Sequence, residues 1–318
     1  MKPAVSVCIP VYGVEQYIER CVRSLFAQTM KDKLEFVFVD DCTPDKSIEI
    51  LKSVLKEYPY RENQVKIIRH EKNGGLVAAR KTGLSHASGE YIIHCDSDDW
   101  VEPDMYETMY KVAVESGADM VYCAYSPDDG NGHVKHCPVR KYNSVKELLQ
   151  DATLLVALPT KLFRREIALS KDIYVPDKLC YGEDLLRVTQ TILKCGTIFC
   201  CERSFYHYFR GNKNAYTSSF KREFLEQWIE SIDFLSNKFP NQLAISKWQG
   251  EAMFQCIIRK LMLAREFRQL WKNERISVLK SKDLHVVKKI VILSACVSYS
   301  ITALSCAIAL KLRSFLKI

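Results

Sequence analysis

At 318 residues the chain has room for one large domain or two modest ones, well above the size at which a core becomes marginal. A hydrophobic share of 47% and a charged share of 26% are ordinary for a globular protein. The net charge of +8 suits nucleotide phosphates, anionic lipid or simple solubility, but the basic residues do not interleave with aromatics on one predicted face, which excludes nucleic acid as a partner.

The first 125 residues alternate between two periods. VSVCIPVY is a short apolar run closing at a proline and reads as a buried strand, and the recurrence of Val14, Tyr17, Ile18, Cys21, Val22, Leu25 and Phe26 marks an amphipathic helix after it. LEFVFVD is a second strand, followed by a helix over 44–57 with Thr43 or Asp45 at hand to cap it. VKIIRH then precedes a helix over 75–87, EYIIHCD one over 103–116, and ADMVYCAY is a fifth strand. This rhythm predicts an α/β fold with right-handed crossovers and a mostly parallel, Rossmann-like sheet flanked by helices. In such sheets ligands lie beyond the carboxyl ends of the strands.

The turn-rich stretch SPDDGNGHVKHCPVRKYN changes the regime. A helix near 144–151, the mixed run VALPTKLFRRE, the helical YGEDLLRVTQTILKCG and one or two strands in GTIFCCERSFYHYF follow. From 220 to about 279 the pattern is helical. Residues 290–310 carry no charge and are flanked by Lys288, Lys289, Lys311, Arg313 and Lys317. That length suits a membrane span, but Ser294, Ser298, Thr302 and Ser305 give a weakly polar stripe that equally suits a helix on the membrane surface or one packed on protein. The expected organisation is therefore 1–125, 126–215, a helical extension over 216–285 and an apolar helix over 286–318.

Thirteen cysteines, an odd number without a CxxC pair, and an N-terminus (MKPAVSVCIP) lacking a signal-peptide core point to a reducing, cytoplasmic compartment. Cys8, Cys95 and Cys123 read as small buried hydrophobes, and zinc spacing is missing.

The chemistry gathers at the strand ends. The first strand ends in Pro10-Val11-Tyr12 with Glu15 a turn on, the second in Asp40-Asp41, and the third is followed by Asn73-Gly74-Gly75 and Arg80. The fourth runs into Asp96-Ser97-Asp98-Asp99. A single acid there reads as a helix cap, and Asn-Gly-Gly as a tight turn. Three acids in four positions exceed any capping need and call for a counter-ion, for which a divalent cation with oxygen ligands, Mg²⁺ or Mn²⁺, is the natural choice. An EF-hand is excluded because its central glycine and terminal glutamate are missing. The phosphate loop GxxxxGK[ST] of kinases and ATPases is absent too, as is the glycine-rich loop of nucleotidyltransferases.

Taken together and in this order, SVCIPVY, VDDCTPD, NGGLVAAR, YIIHCDSDD and GED resemble the family 2 inverting glycosyltransferases with a GT-A fold, over residues 4 to about 210. The resemblance implies a nucleotide-sugar donor, usually UDP-linked, a divalent metal, and a glycan or lipid-linked acceptor in surface polysaccharide synthesis; the basic flanks of the 290–310 run, for their part, place an enzyme attached to a membrane at its cytoplasmic face. It implies that Pro10, Val11, Tyr12 and Glu15 line the nucleotide pocket and that Asp41, or Asp40, reads the base. Asn73, Gly75 and Arg80 would shape the ribose and phosphate side, Asp96 and Ser97 the sugar side, and Asp98 would reach the metal with Asp99 supporting it. Asp184, with Glu183 second, would be the base for the acceptor hydroxyl, and His207, Arg210 and Ser218 would touch phosphate or acceptor. Without the resemblance, Glu183 and Asp184 read as acids favouring a helix N-terminus.

Three departures stand out. Cys42 occupies the place of a usual glycine, so the turn there is expected to avoid positive φ. Lys81 replaces a common asparagine, and the chain beyond 220 resembles nothing in particular. The remaining reading is a member of the fold that binds a nucleotide sugar or partner without catalysis; its mark would be loss of the Asp-x-Asp or Glu-Asp acids, which are all present.

Overall fold

The computed structural model describes residues 2–130, 139–151, 157–212, 220–240, 242–282 and 284–315. The chain divides into two compact units, Met1–Leu148 with Val156–Ser218, and Leu149–Leu155 with Ser219–Ile318.

The first unit opens with β1 (Val5–Val11), α1 (Ile18–Phe26), β2 (Leu34–Asp40), α2 (Ser47–Glu57), β3 (Val65–Arg69), α3 (Leu76–His86) and β4 (Tyr91–His94). β1 and β2 are buried on both faces, and their period of two sorts the side chains. Val5, Val7, Ile9 and Val11 with Leu34, Phe36 and Phe38 pack against α1 and α2. Cys8, Val37 and Val39 face α3, meeting Leu84 and Ala79. Each such large apolar side chain contributes about 1.5–3 kcal/mol by leaving water, so this double alternation fixes the register. Cys8, Cys95 and Cys123 are buried, as their apolar surroundings suggest. Pro10 sits inside the sheet without breaking a ladder, because the pairing of β1 with β4 already ends at Cys8 and His94.

The helices start later than their apolar spacing suggests. The N–H groups of Val14 and Glu15 are bound by Ser47 Oγ (3.2 Å) and Asp45 Oδ2 (2.9 Å), so α1 begins only at Ile18. Asp45 Oδ1 in turn accepts from Ser47 N (3.1 Å) and Ser47 Oγ (2.6 Å), and α2 begins there rather than at Pro44.

Next come β5 (Trp100–Val101), α4 (Met105–Ser116), β6 (Met120–Asp128), α5 (Val145–Leu148), β7 (Lys161–Arg164), α6 (Arg165–Ala168), α7 (Glu183–Ile192) and β8 (Ile198–Phe209). The sheet order is β3-β2-β1-β4-β7-β6-β8-β5. The half from β3 to β4 is parallel as expected. The whole sheet is mixed, since β7, hidden in the unpatterned VALPTKLFRRE, inserts antiparallel between β4 and β6. β6 runs parallel to β8, and β5 antiparallel to it. The strand order reverses beside β1, which opens the usual ligand crevice at the carboxyl ends of β1 and β4.

The second unit carries α8 (Arg222–Lys238), α9 (Ile245–Arg259), α10 (Ala264–Gln269), α11 (Arg275–Lys280) and α12 (Val286–Phe315). The uncharged run at 290–310 lies in α12, whose backbone breaks at Ser298 (φ −144°, ψ 93°).

Candidate active site

Four strand-end loops converge on the crevice. The first two are stitched together: Gly13 N donates to Thr43 Oγ1 (2.9 Å), and Glu15 Oε2 accepts from Lys46 N (3.1 Å). Glu15 therefore braces the loop after β2, while the Tyr12 ring stands 50% exposed over the opening. Pro10 and Val11 are buried and supply the floor.

The paired aspartates after β2 have divided their work. Asp40 Oδ1 closes its own turn by accepting from Thr43 N (2.8 Å). Asp41 reaches across to the loop after β3, where its two oxygens accept from Gly74 N and Gly75 N (2.8 Å each) and His70 Nδ1 lies 2.6 Å away. Gly75 caps α3 with φ 85°, a conformation that favours glycine. Asn73 is exposed, and its Oδ1 accepts from Gly75 N (3.1 Å). The expectation for Cys42 fails: it adopts φ 57°. The two buried, anchored aspartates before it over-determine the turn, so a side chain is carried in a left-handed position that glycine would occupy without strain.

The acidic loop after β4 is a tight turn, with Asp99 N donating to Asp96 O (3.1 Å). Asp99 is fully buried, and its oxygens accept from Tyr206 Oη (2.5 Å) and Phe209 N (2.7 Å). Burial, then the charges of Asp98 and Asp96, push its carboxyl well above the usual range. Asp99 is thus removed from direct ligation; it ties the acidic loop to β8. Ser97 is buried beside it. Asp98 stands at the rim, where Asn212 Nδ2 donates to its Oδ2 (2.8 Å) and Arg20 Nη2 to its carbonyl (3.3 Å). Burial and the neighbouring Asp96 raise the Asp98 carboxyl too.

At the centre lies Arg80, 2% exposed, whose guanidinium meets three carboxylates. Nη2 donates to Asp96 Oδ1 (2.7 Å), and Nη1 faces both Glu183 and Asp184. Burial alone would lower its pKa, but Asp184 and Asp96 overturn that and raise it. Glu183 and Asp184 open α7 directly after Gly182, whose φ of 89° lets the chain turn sharply into the helix. Glu183 is buried and Asp184 keeps about a third of its side chain exposed (32%). Behind them is a basic layer. Burial, then Arg80, lowers Arg187 to about 10, burial lowers Lys161 to about 7, and burial together with Arg80 and Arg187 holds His94 well below the usual histidine range.

Among the remaining expected residues, His207 is 2% exposed, stacked on Trp100 (3.4 Å, 1°) with Nε2 against Glu102 Oε1 (2.7 Å). It is built into the β5–β8 pairing. Arg210 is exposed at the end of β8, and Ser218 lies outside the described residues.

The profile of the family described as "Glycosyl transferase family 2" matches residues 6–168, just over half of the chain. The chain belongs to glycosyl transferase family 2. It is 40% identical over 125 residues to the uncharacterized glycosyltransferase EpsJ of Bacillus subtilis, covering 39% of this chain and 35% of that protein. It is 31% identical over 205 residues to the poly(ribitol-phosphate) beta-glucosyltransferase of Bacillus spizizenii, covering 64% of this chain and 32% of that one. The chain thus spans about a third of the length of these relatives. Among solved structures, Staphylococcus aureus TarS 1–349 in complex with UDP-GlcNAc superposes with a TM-score of 0.69 at 21% identity, covering 97% of this chain and 91% of that one. The mannosyltransferase PcManGT of Pyrobaculum calidifontis, in complex with GDP-Man and Mn2+, gives 0.59 at 15% identity, covering 97% and 88%. At those identities the likeness establishes the fold, which is GT-A.

For this family 2 chain, metal-holding capacity is narrow. Among the described residues no group of three or more His, Cys, Asp or Glu is arranged to hold an ion. The oxygen chemistry of Asp98 is of the kind a hard cation takes, with Asn212 already donating to one of its oxygens, whereas Asp96 is paired with Arg80. The residues that the sequence did not single out are Tyr206, Asn212 and Arg20. Tyr206 bridges the acidic loop, donating to Asp99 and accepting from Asp96 N (3.1 Å). Its only signal was its place in the tyrosine-rich FYHYF. Arg20 joins Asp128 Oδ2 (2.8 Å) and covers the Phe209 ring (4.5 Å) from a position that reads as an ordinary solvated helix residue.

Proposed function

We propose that the chain is an inverting glycosyltransferase that moves a sugar from a UDP-sugar to a glycan or lipid-linked acceptor in surface polysaccharide synthesis. It would work in the cytoplasm, with its second unit at the membrane surface. The observation that carries this reading is the Arg80 cluster, which couples the acidic loop on the donor side to the partly exposed Asp184. The UDP-GlcNAc in the TarS complex supports the choice of donor, and the relatives' names support glycosyl transfer.

In this reading the nucleotide lies along the loops after β1, β2 and β3. Tyr12 covers it, and the Asp41–Gly75 loop, with Asn73, borders the base and ribose. The sugar lies beside Asp96 and Ser97. A Mg²⁺ or Mn²⁺ ion held at Asp98 would supply counter-charge for the diphosphate as negative charge builds on the leaving group. Asp184 takes the proton of the acceptor hydroxyl as that oxygen bonds the anomeric carbon. The bond from that carbon to the phosphate oxygen breaks on the opposite face, and UDP leaves with the electron pair. Arg80 orients Asp184, and Glu183 holds Arg80 from the buried side. Arg210 remains available to phosphate or acceptor.

The test is a panel of nucleotide sugars incubated with the protein and oligosaccharide or lipid-linked acceptors. Release of UDP with an inverted anomeric configuration in the product is expected; a retained configuration, or turnover restricted to non-uridine donors, would contradict the reading.

A further inference from the structure

The second unit leaves one helix half-covered. One face of α12 is packed: Ile292, Ala295, Tyr299 and Ala303 are buried, Tyr299 Oη donates to Cys256 O of α9 (3.1 Å), and its ring meets Phe267 of α10 (5.0 Å). Lys288 pins the start of the helix to Glu251 of α9 (2.5 Å). The opposite face carries Ile290, Leu293, Val297, Ile301, Leu304 and Ile308, each 52–87% exposed. They recur every three or four residues on both sides of the Ser298 break, so each segment carries an apolar stripe. Large apolar residues exposed in such a row mark a contact with something else.

Charge decides what that something is. From Leu284 to Ile318 there is no Asp or Glu, while Lys288 and Lys289 precede the stripe and Lys311, Arg313 and Lys317 follow it. A second copy laid along this helix, in either direction, would bring basic ends against basic ends with no Asp or Glu in the helix to pair them, and Glu251 of α9 is already paired with Lys288. An anionic lipid surface meets both needs, apolar depth for the stripe and negative charge for its ends. Crossing the bilayer is disfavoured by the packed face, since α9, with Lys247, Glu251 and Arg259, would have to enter with it. The break at Ser298 also leaves straight segments of about 18 and 26 Å at 1.5 Å per residue, each short of a ~30 Å core. Thr302 Oγ1 donates to the Ser298 carbonyl one turn back (2.9 Å).

We propose that α12 lies in the plane of an anionic membrane, with the Ile290–Ile308 stripe immersed and the α9-facing side held by the protein. This deepens the membrane attachment proposed above, and its readout needs no turnover, so failure of docking and failure of glycosyl transfer are separate results. The full chain is floated with phosphatidylglycerol-containing vesicles and with pure phosphatidylcholine vesicles. Binding is expected to favour the anionic vesicles about tenfold or more, to fall with salt, and to be released by an alkaline carbonate wash. V297E/I301E is expected to abolish flotation while leaving the thermal midpoint and donor turnover on a soluble acceptor unchanged. Should that pair not fold, Val297→Ser, at an 87% exposed position, takes its place with a severalfold loss. Flotation of the folded variant at the wild-type level, resistance to carbonate, or a stripe-dependent dimer without lipid binding would each overturn the proposal.

Discussion

Arg80→Met is expected to lower kcat/KM by about a hundredfold or more and to cost about 3–5 kcal/mol of folding stability. The side chain is buried, and its guanidinium is the shared partner of Asp96, Glu183 and Asp184. Deleting the cation leaves these acids clustered without it, so they must separate, take up protons or draw in water. Each response moves Asp184 relative to the sugar side of the crevice. Arg80→Lys retains the charge but cannot fork towards carboxylates on two sides, so it should recover more of the stability than of the turnover. Thermal unfolding and steady-state kinetics on the same preparations separate the two effects. A methionine variant with wild-type stability and turnover would mean that the cluster organises neither fold nor site.

Asp184→Asn should reduce kcat by about 10²–10⁴-fold, the range for losing a general base, while donor binding stays within a few-fold of wild type. The substitution preserves shape, and Arg80 keeps Asp96 and Glu183 as partners. Glu183→Gln should act differently. Glu183 is buried beneath Arg80, so its loss is expected to lower stability more than the Asp184 change does. Turnover by the asparagine variant within tenfold of wild type would move the base elsewhere; loss of donor binding would make Asp184 a donor ligand.

The parallel half of the sheet was legible because VSVCIPV and LEFVFVD are buried on both faces, and short runs so largely apolar, with only Ser6 and Glu35 interrupting them, have few other uses. The strand-end acids and the Asn-Gly-Gly turn were legible for a related reason: neither extends a strand or a helix. What could not be read depends on partners far away in sequence. Arg80 meets residues more than a hundred positions away, and Asp99 is claimed by Tyr206 and Phe209. No local period reports such pairings. The same blindness hid the surroundings of His207, whose stacking on Trp100 follows from the pairing of β5, a strand of two residues, with β8. Cys42 shows the reverse case, in which local preference was read correctly and tertiary anchoring through Asp40 and Asp41 overrode it. In α12 the apolar run was visible, but which side faces protein depends on α9 and α10.

The central claim is that the crevice beyond β1 and β4 binds a nucleotide sugar together with a divalent cation at Asp98. It is tested most directly by the thermal midpoint of the wild-type chain and of Asp98→Ala, each with UDP-sugars, with and without Mn²⁺. The account predicts that at least one UDP-sugar raises the wild-type midpoint, that Mn²⁺ enlarges the rise, and that Asp98→Ala loses the Mn²⁺-dependent part. No rise with any nucleotide sugar, or a Mn²⁺ response in Asp98→Ala equal to that of the wild type, would contradict it.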